Sequence, residues 1–279
     1  MSTDIEWCDE TINPVIGCQK LSAGCTNCYA VRMAHRLGAN PKTPQYKGLT
    51  RNANTWTGET RLVENELRKP FGWKKPRRIF VGSMTDLFHE ATPDGWIDDV
   101  FAMMAMCPQH TFQILTKRPA RMQSYFAARK DGDPWAEAAD HIADLAGIED
   151  HPFVLEPKHI PLGNVWMGVT VEDQSAANER IPLLLKTPAA KRFISAEPLL
   201  SRLDLSGDRK ELASISWVIC GAETGPKRRP MDQAWARGLR DQCVSAGVPF
   251  FLKKLSDGSR ELDGQVWEQF PGARKAVAA

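Results

Sequence analysis

The sequence predicts an α/β fold, a partial (β/α) barrel with about six or seven parallel strands, and three observations support this. From Arg78 onward, short runs rich in β-branched and aromatic residues recur along the chain. Helical patterns separate most of them, and each run ends in, or runs directly into, glycine or something polar. Strand, helix, strand, repeated, means a parallel sheet with right-handed crossovers.

The first strand is expected at 11–16, feeding a cysteine-rich loop. Residues 29–37 have helical spacing of apolar positions and stop at Gly38. Residues 39–57, rich in Asn, Pro, Gly and Thr, read as an irregular connection, and 59–69 as a charged helix stopped by Pro70. Strands follow at 78–83, 111–116, 165–170, 192–196, 217–221 and 249–253, with helices at 93–106, 176–186 and 232–246. Between about 125 and 163 the rhythm breaks. This stretch reads equally as an insertion over the site or as a structural excursion. The barrel is thus expected over 1–255. After it, 256–279 is expected to form a hairpin at the Asp263-Gly264 turn and a frayed tail.

The 279 residues suffice for a sizeable core. Lys plus Arg number 36 against 34 Asp plus Glu, a net charge of +2, so any nucleic-acid binding must be local rather than a property of the whole surface. No apolar run approaches the ~20 residues that span a bilayer, and the first residues are polar and acidic, so a cytoplasmic protein is expected. Seven cysteines, an odd number without scaffold-like spacing, favour a reducing compartment and a metal or catalytic use over disulfides.

Three of those cysteines, Cys18, Cys25 and Cys28, share one short loop. Three thiolates can hold three irons of a cubane cluster and leave the fourth open to a chelating ligand. Gly17 and Gly24 each precede a cysteine and let the backbone turn its N–H groups toward sulfur. The competing reading is a structural zinc site that adds Cys8, although only Cys25 and Cys28 have the usual zinc spacing. It would make the protein a non-enzymatic, zinc-stabilised binding protein.

The run Asn13-Pro14-Val15-Ile16-Gly17-Cys18, then Gly24-Cys25 and Cys28-Tyr29-Ala30, resembles the signature of radical S-adenosylmethionine (SAM) enzymes of the spore photoproduct lyase type, and more closely a phage-associated family with a three-cysteine motif. Six residues separate Cys18 from Cys25, where the commonest radical-SAM spacing has three, and Asn27 replaces the usual aromatic. The resemblance implies the partial barrel of the radical SAM type, a [4Fe-4S] cluster on Cys18, Cys25 and Cys28, and SAM on the open iron. It implies reductive cleavage of SAM to a 5′-deoxyadenosyl radical, fed by a flavodoxin- or ferredoxin-like electron donor. The implied substrate is a nucleic-acid base, with an isomerase or lyase type of reaction. Phage-type thymidine hypermodification or isomerisation in DNA comes first and pyrimidine photoproduct repair second; a phage-encoded enzyme would work in the host cytoplasm.

In a parallel barrel the chemistry sits at the C-terminal strand ends. In the radical SAM fold the edge at Ser83 and Asp86 receives the amino group of SAM, and Lys117 stands where a cation would meet its carboxylate. His89 reads equally as a ligand or a surface residue. Thr170, Ser195 and Glu197 are placed to meet the ribose or the substrate, as is Glu172. Glu197 is also a catalytic candidate, either glutamate reads alternatively as a cap of the next helix, and Glu197 precedes Pro198, which favours extended backbone. In the loop Gly221-Ala222-Glu223-Thr224-Gly225, Glu223 is assigned to substrate, while Lys227, Arg228 and Arg229 suit a phosphate. Cys220 is a candidate hydrogen-atom donor, against the ordinary expectation of an inert strand cysteine.

Overall fold

The computed structural model describes residues 5–129, 133–149, 160–206 and 212–272. Seven parallel strands form one sheet in consecutive order: β1 (Glu10–Ile12), β2 (Arg78–Val81), β3 (Thr111–Thr116), β4 (Val165–Thr170), β5 (Lys191–Ala196), β6 (Trp217–Cys220) and β7 (Phe250–Leu252). Each crossover therefore moves to the neighbouring position, and the sheet curls as a half-barrel. The helices are α1 (Tyr29–Gly38), α2 (Glu64–Arg68), α3 (Asp94–Met106), α4 (Pro119–Ala127), α5 (Asp133–Ala146), α6 (Gln174–Lys186) and α7 (Gln233–Ala246).

Because side chains alternate along a strand, each strand serves two layers. Val218 and Cys220 of β6 join the large apolar core shared with the helices, whereas Trp217 and Ile219 join a second cluster with Trp7, Phe80, Trp166, Phe193 and Phe251 on the concave face. Trp217 is its centre, fully buried, with five aromatic rings 5.3 to 6.2 Å away, and its indole N–H donates to the Gln269 carbonyl (2.8 Å). Gly168 of β4 makes room for this floor. A Cβ there would lie 2.5 Å from the ring of Phe193, its register partner.

The helices start and stop on local chemistry. Asp173 and Asp232 cap α6 and α7, their carboxylates accepting from the N–H groups of Ala176 (2.9 Å) and Ala234 (2.8 Å), and Gly247 ends α7 in the left-handed region (φ 70°).

Three sequence expectations change. The first strand breaks at Asn13-Pro14, because proline has no N–H for the ladder. Val15–Ile16 then pairs antiparallel with Arg61–Leu62, which shortens the expected helix at 59–69 to α2. Within 39–57, Thr50–Asn52 and Thr55–Trp56 form a small hairpin rather than irregular chain. In the stretch 125–163, α5 packs on α3: Trp135 stacks on Phe101 (4.7 Å) and donates to the Tyr125 hydroxyl, which donates to Asp98. Residues 150–159 lie outside those described. The expected hairpin forms at Glu261–Leu262 and Gln265–Val266, and the chain after it lies against β7, with Leu252 N–H donating to the Trp267 carbonyl (2.8 Å). The tail from 273 is outside the described residues.

Candidate cofactor and substrate site

A cavity of about 740 Å³ opens over the C-terminal ends of the strands. Its walls come from two sources. The strands contribute their concave-face residues, Thr11, Phe80, Leu115, Lys117, Thr170, Ser195, Glu197 and Lys253, a row set by the two-residue period. The connection between β1 and β2 contributes Cys18, Cys25, Cys28, Tyr29, Met33, Tyr46 and Trp56.

The three loop thiols are free, half-buried and face this cavity. Gly17 anchors the loop: its N–H donates to the Met84 carbonyl (3.1 Å) and its carbonyl accepts from the Thr85 hydroxyl (2.7 Å). Its φ of +97° suits glycine, and a Cβ would lie 2.1 Å from the Glu59 carbonyl oxygen. Further along, the N–H of Gly24 donates to Glu172 (3.3 Å), a fully buried carboxylate that Arg180 braces (2.8 Å). Cys28 stands at the start of α1, and the Tyr29 hydroxyl donates to the Ser83 carbonyl (3.0 Å).

The thiols differ electrostatically. Burial, with the Asp86 carboxylate adding to it, pushes the Cys18 thiol up to about 12. Burial also acts upward on Cys25, but the Lys117 ammonium and the backbone N–H groups of Leu21 and Ser22 outweigh it, so this thiol lies below its ordinary range. Lys117 itself makes no side-chain hydrogen bond or ion pair with a described residue.

Several expected ligands have other employment. Asp86 accepts from the Thr116 hydroxyl (2.6 Å), the N–H groups of Lys117 (2.9 Å) and Phe88 (3.2 Å), and Arg118 (3.1 Å); it organises the strand ends and has no acceptor to spare. The Ser83 hydroxyl donates to Asn13 (3.2 Å). His89 is buried, its Nδ1 accepting from the Ala91 N–H (3.0 Å). Glu223 is buried and accepts from the Arg229 backbone N–H (2.7 Å), the Arg229 guanidinium and Asn27 (2.9 Å). Arg229 also donates to the Ala23 carbonyl (2.9 Å). Glu223, which also borders the cavity, and Arg229 thus clasp the cysteine loop, while Lys227 and Arg228 stand exposed at the rim. Cys220 corrects a second expectation. It is fully buried in the helix-facing core near Cys243 and burial pushes its thiol up, so it does not border the cavity. The alternation along β6, with glycine at 221 taking the concave position, decides this.

Thr170 and Ser195 are buried on the cavity wall, and Glu197, joined to Pro198 by a cis peptide, pairs with Lys253 (2.6 Å). Lys253 escaped the sequence reading, although the same strand-end rule at β7 points to it.

Residues 2–271 match the model of a family described as "Protein of unknown function (DUF5131)". The chain belongs to that family. No curated protein matches. Among solved structures, this DUF5131 member is similar to a cysteine-to-serine mutant of spore photoproduct lyase, at 9% identity and a TM-score of 0.45, with 92% of this chain and 79% of that chain covered.

Cys8 does not join the three loop thiols in a closed four-thiolate zinc site. Cys8, the fourth thiol such a site needs, lies in the aromatic cluster with Trp7 and Phe80, its Sγ toward the Ile5 carbonyl (3.6 Å). A cluster takes one thiolate per iron and asks for three thiols around a common space. No helix of the described residues is long and apolar enough to cross a membrane.

Proposed function

We propose that this protein is a radical SAM enzyme that acts on a nucleic-acid base. The observation that carries the reading is that three free thiols on one loop border a single cavity at the carboxyl edge of a half-barrel, beside the Lys117 ammonium, which pairs with no described residue. Cys18, Cys25 and Cys28 would hold a [4Fe-4S] cluster, with SAM beside it. Together these cofactors supply a carbon-centred radical that removes a hydrogen atom from substrate.

The protein's own residues then have distinct duties. Lys117 meets the carboxylate of SAM, and the hydroxyls of Thr170 and Ser195 meet its ribose. Glu172 and the Glu223–Arg229 pair hold the cysteine loop in place from two sides. Tyr29, Trp56 and Phe80 give apolar walls that keep water from a reactive intermediate. Glu197 and Lys253 offer an acceptor and a donor to substrate on the far side of the cavity.

Anaerobic reconstitution with iron and sulfide tests this. The expected product is a brown protein absorbing near ~400 nm, with close to four irons per chain, that forms 5′-deoxyadenosine from SAM and a strong reductant, faster with oligonucleotide present. A colourless protein that takes up one zinc, or a cluster-loaded protein that leaves SAM intact, sinks the reading.

A further inference from the structure

The overall charge is nearly balanced, but its distribution is not. Residues 17–63 carry seven Lys and Arg against one carboxylate, Glu59, for a net +6 in a chain whose total is +2, leaving −4 for the rest. Lys20, Arg36, Lys42, Lys47 and Arg51 are exposed. The single acid of this stretch is already engaged by Arg61 (3.5 Å).

The fold turns this stretch into one face. Arg32 and Arg36 stand one turn apart on α1. The Arg32 guanidinium lies against Gly225, where a Cβ would meet it at 2.3 Å, and so adjoins the exposed Lys227 and Arg228. His35 is hydrogen-bonded to Thr50 (3.1 Å), which sets the hairpin carrying Arg51 beside the helix. Gly38 lets the Tyr46 backbone approach α1. The inward side of the same module, Met33, Leu37, Tyr46 and Trp56, lines the cavity. Cations outside and aromatic rings inside, at one cavity mouth, match a chain of phosphates that delivers planar bases.

We infer that the outer face of residues 17–63, extended by Lys227 and Arg228, is the docking surface for a nucleic-acid strand. It guides the backbone past the mouth while one base enters. The inference rests on the nucleic-acid reading above but needs no cluster.

Binding of fluorescein-labelled 20-nucleotide single-stranded DNA, the corresponding duplex and RNA is followed by anisotropy on the full-length protein as purified, against sodium chloride. A single strand should bind, with log K falling linearly in log salt. The variant Arg36→Glu/Lys47→Glu/Arg51→Glu should bind at least about tenfold more weakly and flatten the slope by about 2 units, at ~0.7 per lost phosphate contact. Lys74→Glu/Lys75→Glu/Lys186→Glu, with the same charge change on exposed residues at the opposite end of the strands, should bind as wild type. Tighter binding of the duplex than of either single strand overturns the inference, and the tighter of the DNA and RNA strands identifies the partner. Equal losses in both variants, absence of salt-dependent binding, or equal displacement of every probe by heparin overturns the inference. If binding fails while reconstituted protein still cleaves SAM, the docking face alone is wrong; if binding holds and no cluster forms, the radical SAM reading alone is wrong.

Discussion

Glu223 and Arg229, six residues apart in one loop, form a two-pronged ion pair whose carboxylate also accepts from Asn27 between Cys25 and Cys28. The last long loop of the barrel thereby grips the first. The Asn27 amide completes the clasp by donating to the Lys227 carbonyl (2.8 Å).

Glu223→Gln should loosen the cysteine loop at a cost of about 1.5–3 kcal/mol, the range for hydrogen bonds to charged groups. Hydrogen exchange at 23–28 reads it directly. Although burial acts upward on this carboxyl, Arg229 and Asn27 hold it down to about 2, from an ordinary 4.5. A folded-state value depressed in this way means that the stabilisation is complete above about pH 4.5 and fades as pH falls toward 2. The difference in Tm between wild type and variant should shrink over that window.

Asp86→Ala removes the acceptor for four donors and leaves the Arg118 guanidinium, almost inaccessible, with the exposed Glu90 and the Gln19 carbonyl (3.5 Å) as its described partners. A loss of about 3 kcal/mol is expected, the low end of the range for breaking a buried pair, because Glu90 still offsets part of the charge. Asp86→Asn should lose less, because the amide oxygen still accepts. Urea midpoints separate the two, and equal midpoints for Asp86→Asn and wild type would deny the charge any part.

Gly17→Ala should be disproportionately harmful for one methyl group. The left-handed backbone and the Glu59 carbonyl 2.1 Å from the added Cβ both resist it. Iron retained after reconstitution should fall along with Tm, whereas Gly95→Ala, where a Cβ meets nothing within 4 Å, should retain wild-type iron.

Cys220→Ala should leave 5′-deoxyadenosine formation and substrate turnover within about twofold of wild type, with a modest loss of stability of about 1 kcal/mol from a small core cavity. Abolished turnover in a variant that still cleaves SAM and melts normally would restore the hydrogen-donor role.

Glu197→Gln should make Lys253 more reactive. Burial acts to lower the Lys253 pKa, yet Glu197 raises it above the ordinary value. With the pKa raised on folding, the pair stabilises the protein fully below the unfolded-chain value and loses that contribution as pH rises through the folded one. In the variant the ammonium deprotonates earlier, so competitive acetylation of Lys253 at pH 8 to 9 should rise several-fold, and an unchanged rate would remove Glu197 as the cause.

The six strands after Arg78 were legible because a buried parallel strand advertises itself as a short continuous apolar run, and the polar residues closing those runs do line the cavity at 117, 170, 195 and 197. The break at Pro14 has its own sequence signal, the missing N–H, although the apolar pattern of 11–16 runs straight through it. What a strand residue faces was harder to read at β6, where a single step along the chain separates Gly221 on the concave face from Cys220 in the core.

The local pattern of this sequence was enough to determine a parallel half-barrel and to gather three thiols on one loop, since alternation, capping residues and cysteine spacing are short-range properties. Tertiary structure alone decided which charged side chains remain free. Asp86, Glu223 and Arg229 resemble ligands in sequence, yet Thr116 and Arg118 consume the first, and the other two are consumed by each other and by the first loop at Ala23 and Asn27. Lys117 and exposed cations of 17–63 such as Lys47 and Arg51 pair with no described carboxylate. Such pairing joins groups up to some 200 residues apart, as Asn27 and Glu223 do, and a buried charge accepts whichever partner the fold delivers because leaving it unpaired costs more than any choice among partners.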